Sequence, residues 1–280
     1  MRSDQNKTEQ SQKKFFDKYV QSGQWKINEQ NISIFTELIR GEQEKGFRWL
    51  GDCNKILDYG CGVGNLINDF NNIAPSESRI FYGVDISNAS IEVCKSRFKG
   101  VFSCISNNQM QHIPDSSIDG AYLIMILHHS ENHMDIFREL HRVLKPGGKL
   151  FISDLTNTNP IINLGRGFFG FLPKSVKKQF SDDLVVDNEI PEKLAVSVRV
   201  VLKELKNVGF QIELVERSQL FFFLFDWSDK VFRTRFGSRY KFFIKQIFLL
   251  EKFLIRLPFI AYFSHVFDVM QLFLQVSLAI

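Results

Sequence analysis

The stretch Ile56-Leu57-Asp58-Tyr59-Gly60-Cys61-Gly62-Val63-Gly64-Asn65-Leu66 constrains this chain more than any other. An apolar run ends in three glycines at alternate positions and passes into a helix-like segment from Leu66. Glycine leaves backbone amides open to a ligand at such a turn, where a side chain would block it. A dinucleotide fingerprint needs G-x-G-x-x-G; position 65 is Asn, so the third glycine stands one residue early. A phosphate-cradling loop needs Gly-Lys-Ser/Thr, which is missing here. Asp58 instead sets a carboxylate two residues before Gly60, repelling phosphate and attracting an ammonium or sulfonium group.

The alternation that starts at this turn continues. Strands are predicted at Ile56–Asp58, Ile80–Val84, Val101–Ile105, Ile118–Met125 and Lys149–Asp154. Helices are predicted at Leu66–Ile73, Ile91–Phe98 and Met134–Leu144. Strands joined by helix-length crossovers pair in parallel, giving an open α/β sheet with helices on both faces. The spacing of Ile32, Phe35, Leu38 and Ile39 makes 15–50 helical, and 1–14 reads as a disordered tail. Glu192–Val208 is an amphipathic helix, and Gln211–Val215 with Leu220–Phe225 reads as a closing pair of strands. The turn Lys145-Pro146-Gly147-Gly148 is structural. A composition of 44% hydrophobic and 24% charged residues excludes a disordered or coiled-coil chain, and a net charge of +4 is too mild to imply nucleic acid. The four cysteines (Cys53, Cys61, Cys94, Cys104) lack metal-ligand spacing and read as free thiols of a cytoplasmic protein, since no secretory signal precedes them.

The second strand ends at Gly83-Val84-Asp85. A carboxylate at a strand's C-terminal end can accept both hydroxyls of a ribose; capping of the next helix is the alternative. The glycine loop and Asp85 resemble the class I S-adenosylmethionine-dependent methyltransferases, and the likeness continues in order. Gln109-Met110-Gln111-His112-Ile113-Pro114-Asp115-Ser116-Ser117-Ile118-Asp119 resembles that family's adenine loop. Leu127-His128-His129 resembles the segment after strand four, and Arg138 to Leu150 the helix, turn and strand five. The match covers roughly 54–154 and is similar to small-molecule methyltransferases of quinone biosynthesis. The resemblance implies a Rossmann-like, mostly parallel seven-stranded sheet and S-adenosylmethionine as cofactor. It implies that Gly60, Cys61, Gly62 and Gly64 form the methionine loop, with Asp58 near the amino group. Asp85 and Ile86 would then meet the ribose, Gln109 and Met110 would flank adenine, and Tyr19 would close over the site. Where the family has Asp, this chain has Gln109, so a neutral amide would meet the adenine amino group.

His128 and His129 follow strand four, near the expected methyl position. A histidine there suits a general base, because its pKa lies near working pH; capping or packing under a lid is the competing reading. His141 reads as a helix-surface residue and His112 as a loop residue. Nucleic acid is not the expected substrate, because the Asn/Asp-Pro-Pro-aromatic element of base-methylating enzymes is replaced by Ile126-Leu127-His128-His129. No metal is expected.

Two segments stand outside this core: 156–190, read as a substrate-lid insertion within a 15–226 domain, and 227–280, read as a helical extension. Fourteen of the 29 phenylalanines fall in 221–280. Lys230 to Arg256 carries eight basic residues against Glu251 alone, with Phe243, Ile247, Leu250, Leu254 and Leu257 on one helical face. After Pro258 a second helix is expected, its polar stripe (Ser264, Asp268, Gln271, Gln275) arguing against a spanning segment. This extension reads either as a contact with the inner face of a membrane or as a packed subdomain or homodimer contact. The expected function is methyl transfer to a small-molecule or lipid-linked acceptor. The competing classes are a nicotinamide-dependent reductase and a non-catalytic cofactor-binding module for membranes or partners.

Overall fold

The structure, a computed structural model, describes residues 2–23, 25–26, 34–130, 132–155, 196–218 and 269–277, with Phe242, Gln246, Leu249, Leu250 and Phe253. Helices α1 (Arg2–Gln21) and α2 (Ile34–Trp49) precede an alternating series. It runs β1 (Lys55–Tyr59), α3 (Asn65–Ile73), β2 (Ile80–Asp85), α4 (Asn88–Arg97), β3 (Gly100–Cys104) and β4 (Ile118–Ile124). A short 3₁₀ turn (Leu127–His129), α5 (His133–Val143), β5 (Leu144–Leu155), α6 (Val198–Val208), β6 (Phe210–Ser218) and β7 (Val269–Val276) complete it.

The seven strands form one sheet in the order β3-β2-β1-β4-β5-β7-β6. Strands β1 to β5 pair in parallel, and β7 lies antiparallel between β5 and β6. The central strands are apolar on both faces, as parallel strands under two helix layers must be. Their alternation sends Leu57, Leu123, Leu150, Ile152, Leu272 and Leu274 into one core with Phe137, Leu140, Val201 and Leu205 of α5 and α6. Ile56, Tyr122, Phe151 and Phe273 enter the other core with Phe47, Ile67, Phe70 and Ile91 of α2, α3 and α4. Between Ile118↔Leu144 and Gly120↔Lys149 the register shifts, absorbing the Lys145–Gly148 turn.

Three expectations are corrected. Residues 2–14, expected to be disordered, belong to α1. They are ordered by long-range contacts that no local pattern announces: Glu9 accepts from the Asn107 amide, and Gln12 Nε2 donates to the His129 carbonyl at 2.8 Å. The strand that pairs with β6 inside the sheet is β7, and the expected strand Leu220–Phe225 lies outside the described residues. Residues 269–276, read as part of a polar-striped helix, alternate instead as a strand, with Leu272, Leu274 and Val276 in one core and Phe273 in the other. Glutamines four apart at 271 and 275 satisfy a period of 2 and of 3.6 alike, and pairing with β5 and β6 decides for the strand. The sheet therefore crosses the expected domain boundary at 226. The 156–190 insertion, the Phe221–Phe225 run and, apart from five positions, the first helix of the extension lie outside the described residues. Among the described residues, no helix is long and apolar enough to cross a membrane.

Candidate functional site

Strand order reverses between β1 and β4, and the crevice at the carboxyl ends of such strands is where open α/β sheets take ligands. A cavity of about 360 Å³ opens there. The loop after β1, the end of β2, the turn after β4, the start of α5 and the inner face of α1 line it.

Of the predicted loop residues, Gly60 and Gly62 reach the wall. A Cβ at Gly62, whose φ is +51°, would meet nothing within 4 Å. Its neighbours are glycine for packing reasons: a Cβ at Gly60 would run into Ile126, and one at Gly64 into Phe98 and Cys94. Cys61 is buried, with Cys94 beside its thiol, and that neighbour together with burial pushes its pKa well up. Asp58 is fully buried behind the loop and absent from the wall. Burial pushes its carboxyl up to about 8 against the opposing Tyr122 hydroxyl.

Asp85 and Ile86 both line the cavity. The Asp85 carboxylate accepts from the Gly62 amide (2.9 Å) and the Ser87 amide (2.8 Å), which fixes its orientation; burial raises its pKa despite them. Ser87, not Asp85, caps α4 by accepting from the Ser90 amide. Asp17 of α1 accepts from the Ser87 hydroxyl and the Ala89 amide, tying α1 across the site. Thr8, Glu9, Gln12 and Phe16 are the α1 residues on the wall; Tyr19, the residue expected to close it, is not.

Gln109 and Met110 are likewise not on the wall, whereas Asn107 and Asn108 are. Met110 is buried in the core, its amide donating to Glu139 Oε2 and its carbonyl accepting from Arg142 Nη2. This grip from α5 turns the loop by two positions. Asn107 and Asn108 take φ of +53° and +60°, and Asn108 Oδ1 accepts from the Tyr59 hydroxyl at 2.9 Å.

The histidines part company. His129 lines the cavity, edge-on to Phe16; burial, with His128 beside it, pulls its pKa down to about 4. His128 lies off the wall, its Nδ1 2.7 Å from Asp154 Oδ1. The other oxygen of Asp154 accepts from the Ile126 and Leu127 amides, so one buried carboxylate builds the turn that aims His129 inward. Asp154 was missed in the sequence although it stands at the carboxyl end of β5, one residue before the last, much as Asp85 ends β2. Among the remaining histidines, His112 is exposed, and His141 packs against Phe210 rather than lying free on the surface.

Glu9, Asp85 and Asp135 line the cavity, and no Lys or Arg is among the described lining residues. Such a wall favours a cationic ligand and gives a pyrophosphate nothing to pair with. No group of His, Cys, Asp or Glu that could hold a metal occurs among the described residues.

Residues 57–152 match a family model described as a methyltransferase domain. The chain is 30% identical over 148 residues to an O-methyltransferase of Aspergillus nomiae, covering 49% of this chain and 63% of that one. It is 28% identical over 157 residues to the ubiquinone/menaquinone biosynthesis C-methyltransferase of Hydrogenovibrio crunogenus, covering 52% and 59%. The chain thus spans less than two thirds of the length of these relatives. A solved SAM-dependent methyltransferase from Archaeoglobus fulgidus shares the fold, with a TM-score of 0.50, 15% identity and coverage of 85% of this chain and 93% of that one.

Proposed function

We propose that residues 57–152, which match a methyltransferase-domain family model, form a class I S-adenosylmethionine-dependent methyltransferase domain and that the protein transfers a methyl group to a small-molecule or lipid-linked acceptor. The observation that carries the choice of cofactor is the wall itself: three carboxylates and no cation among its described lining residues, around an open Gly62. A sulfonium with an ammonium fits that wall, whereas the pyrophosphate of a nicotinamide dinucleotide does not. This weighs against the reductase reading.

In this reading Gly60 and Gly62 border the methionine portion, Asp85 accepts the ribose hydroxyls, and Asn107 and Asn108 approach the adenine in place of Gln109 and Met110. Asp58 stays buried behind the loop and does not meet the ligand. S-adenosylmethionine supplies an electrophilic methyl carbon whose leaving group is a neutral thioether. The chain contributes position and dryness: α1 roofs the cavity through Glu9, Gln12 and Asp17, keeping water from the reacting atoms. His129, neutral at physiological pH, offers a hydrogen-bond acceptor to an incoming hydroxyl or amine. With a pKa near 4 it orients that group and stores little proton. Asp154 and His128 hold the turn behind it.

The acceptor class extends to amphiphiles, reached through a peripheral membrane contact by the part of 227–280 that precedes β7. Calorimetric titration with S-adenosylmethionine and, separately, with NADH tests the cofactor reading. Micromolar binding of the first and none of the second is expected; the reverse overturns it.

A further inference from the structure

Resting on the S-adenosylmethionine reading, we propose that Arg97 is a positioning residue for the cofactor. It holds the glycine loop in shape and, through Trp25, makes that shape depend on the seating of the roof helix α1. Neither Arg97 nor Trp25 is among the residues lining the cavity.

The loop is weakly specified by its own residues. Helix α3 is entered through Gly64, whose φ is +85° and which brings no side chain to cap the first turn. A side-chain cap would tie that start down; here none is supplied locally. Val63 is buried, and its carbonyl lies ahead of the helical ladder, so the partner of that carbonyl comes from elsewhere in the fold.

That partner is Arg97, in the last turn of α4. One guanidinium nitrogen, Nη1, donates to the Val63 carbonyl and to Asn65 Oδ1, both at 2.8 Å. The next residue, Phe98, packs on Gly64, where a Cβ would strike its ring. Residues 63, 64 and 65 are thus each met by the end of α4. Asn65 gains a purpose here. It stands where a dinucleotide fingerprint would put its third glycine, and its side chain accepts from Arg97, as a glycine could not.

The guanidinium is in turn held by rings. Trp25 and Phe98 each lie 5.2 Å from its Cζ, within reach of a cation–π contact. Trp25 follows closely on the roof: α1 ends at Gln21, Gly23 turns the chain with a φ of +75°, and the Lys26 amide donates back to the Gly23 carbonyl. At the start of α4, Asp17 of α1 accepts from the Ser87 hydroxyl and the Ala89 amide. The roof segment therefore grips α4 at both ends, and its second grip bears on the cation that shapes the loop. A roof out of place withdraws the Trp25 ring from Arg97, so an ordered loop and a seated roof favour one another.

Calorimetric titration with S-adenosylmethionine, and hydrogen exchange of the full chain without ligand, test this. Arg97→Met keeps the apolar stem and removes the donors; it should weaken binding roughly tenfold, a size expected of a residue one contact removed from a ligand. Arg97→Lys restores the charge and a donor and should regain part of that loss. Trp25→Leu should weaken binding about threefold and add little on top of Arg97→Met, because the two act through one contact. In the free protein, exchange of the Gly64 and Asn68 amides should quicken about tenfold in Arg97→Met while the amides of β1 and β4 keep their protection. Asn65→Ala, at a half-buried helix start, repeats the test should Arg97→Met fail to fold, with a loss of about threefold expected. Wild-type affinity in Arg97→Met, or no recovery in Arg97→Lys, overturns the positioning role. A lowered melting point with unchanged affinity and unchanged loop exchange marks a merely structural residue and overturns it too. Full additivity of Trp25→Leu and Arg97→Met overturns the link to the roof. If the unaltered protein does not bind S-adenosylmethionine, the cofactor reading falls instead, and the exchange measurement still decides whether Arg97 holds the loop.

Discussion

Replacing Asp85 with alanine probes the site where its geometry is most defined. The carboxylate accepts from the Gly62 and Ser87 amides, with the Ile86 amide also acting on it, and it lines the cavity. If a ribose diol binds there, it donates two hydrogen bonds to a charged acceptor, and their loss should weaken S-adenosylmethionine binding by about 2–4 kcal/mol, or roughly 30- to 1000-fold in Kd. The variant also orphans two backbone amides, at about 1–3 kcal/mol of fold stability if water does not replace the carboxylate. The two effects read out separately: calorimetry with S-adenosylmethionine for the first, thermal melting without ligand for the second. Asp85→Asn sharpens the test. Its amide can serve only one of the two backbone donors and carries no charge, so affinity should fall nearly as far as in the alanine variant. Undiminished binding in both variants would refute the ribose assignment even if the melting point fell.

Gly62→Ala should cost about 1 kcal/mol of stability for its left-handed backbone, yet lower cofactor affinity by a further 1–3 kcal/mol, roughly, by filling the cavity wall. Gly64→Ala should do the opposite, melting early against Phe98; equal behaviour in melting and titration would refute the division of roles. His129 is neutral in the fold down to about pH 4 against an ordinary value of 6.5, so the unfolded chain binds its proton first. Stability should be full above pH 6.5 and fall towards pH 4 by at most about 3 kcal/mol, and His129→Gln should flatten that slope in melting curves. Asp58 has the reverse sign: raised from 3.8 to about 8, it stabilises the fold at low pH and loses that contribution as pH rises through 8. Asp58→Asn should remove this decline, which runs from about pH 4 to about pH 8 and levels off above, and an unchanged profile between pH 5 and about 8 would count against a protonated Asp58.

What could be read in the sequence was what is encoded locally. The glycine turn and Asp85 declare themselves because strand, turn and helix follow one another within a few residues. The loop after β3 was located, but the residues it gives to the cavity wall are Asn107 and Asn108, two positions before Gln109 and Met110. Its register is set by Glu139 and Arg142, which hold Met110 from a helix about thirty residues on. The roof was misread for a similar reason. Residues 2–14 have a polar, unremarkable pattern, and only their partners at Asn107 and His129 give Glu9 and Gln12 meaning. The two histidines looked equivalent until Asp154, on another strand, took one and left the other in the cavity. In β7, a spacing common to two periods misled, and the neighbours of the strand, distant in sequence, resolved it.

The placement of β7 has a consequence for how the protein reaches this fold. Strands β3, β2, β1, β4 and β5 can assemble in sequence through local crossovers, but β6 has no neighbour until Val269–Val276 is threaded between it and β5. That step closes a loop of the entire 219–268 excursion, a nonlocal contact whose entropy must be lost before the pairing is gained. Meanwhile the edge of β5, with Phe151 and Ile152, stands open, the kind of unpaired apolar edge on which folding intermediates aggregate. Loop-closure entropy thus makes the insertion of this one strand the costliest pairing of the sheet, and it brings Ser218 and Val269 together at one corner of the sheet.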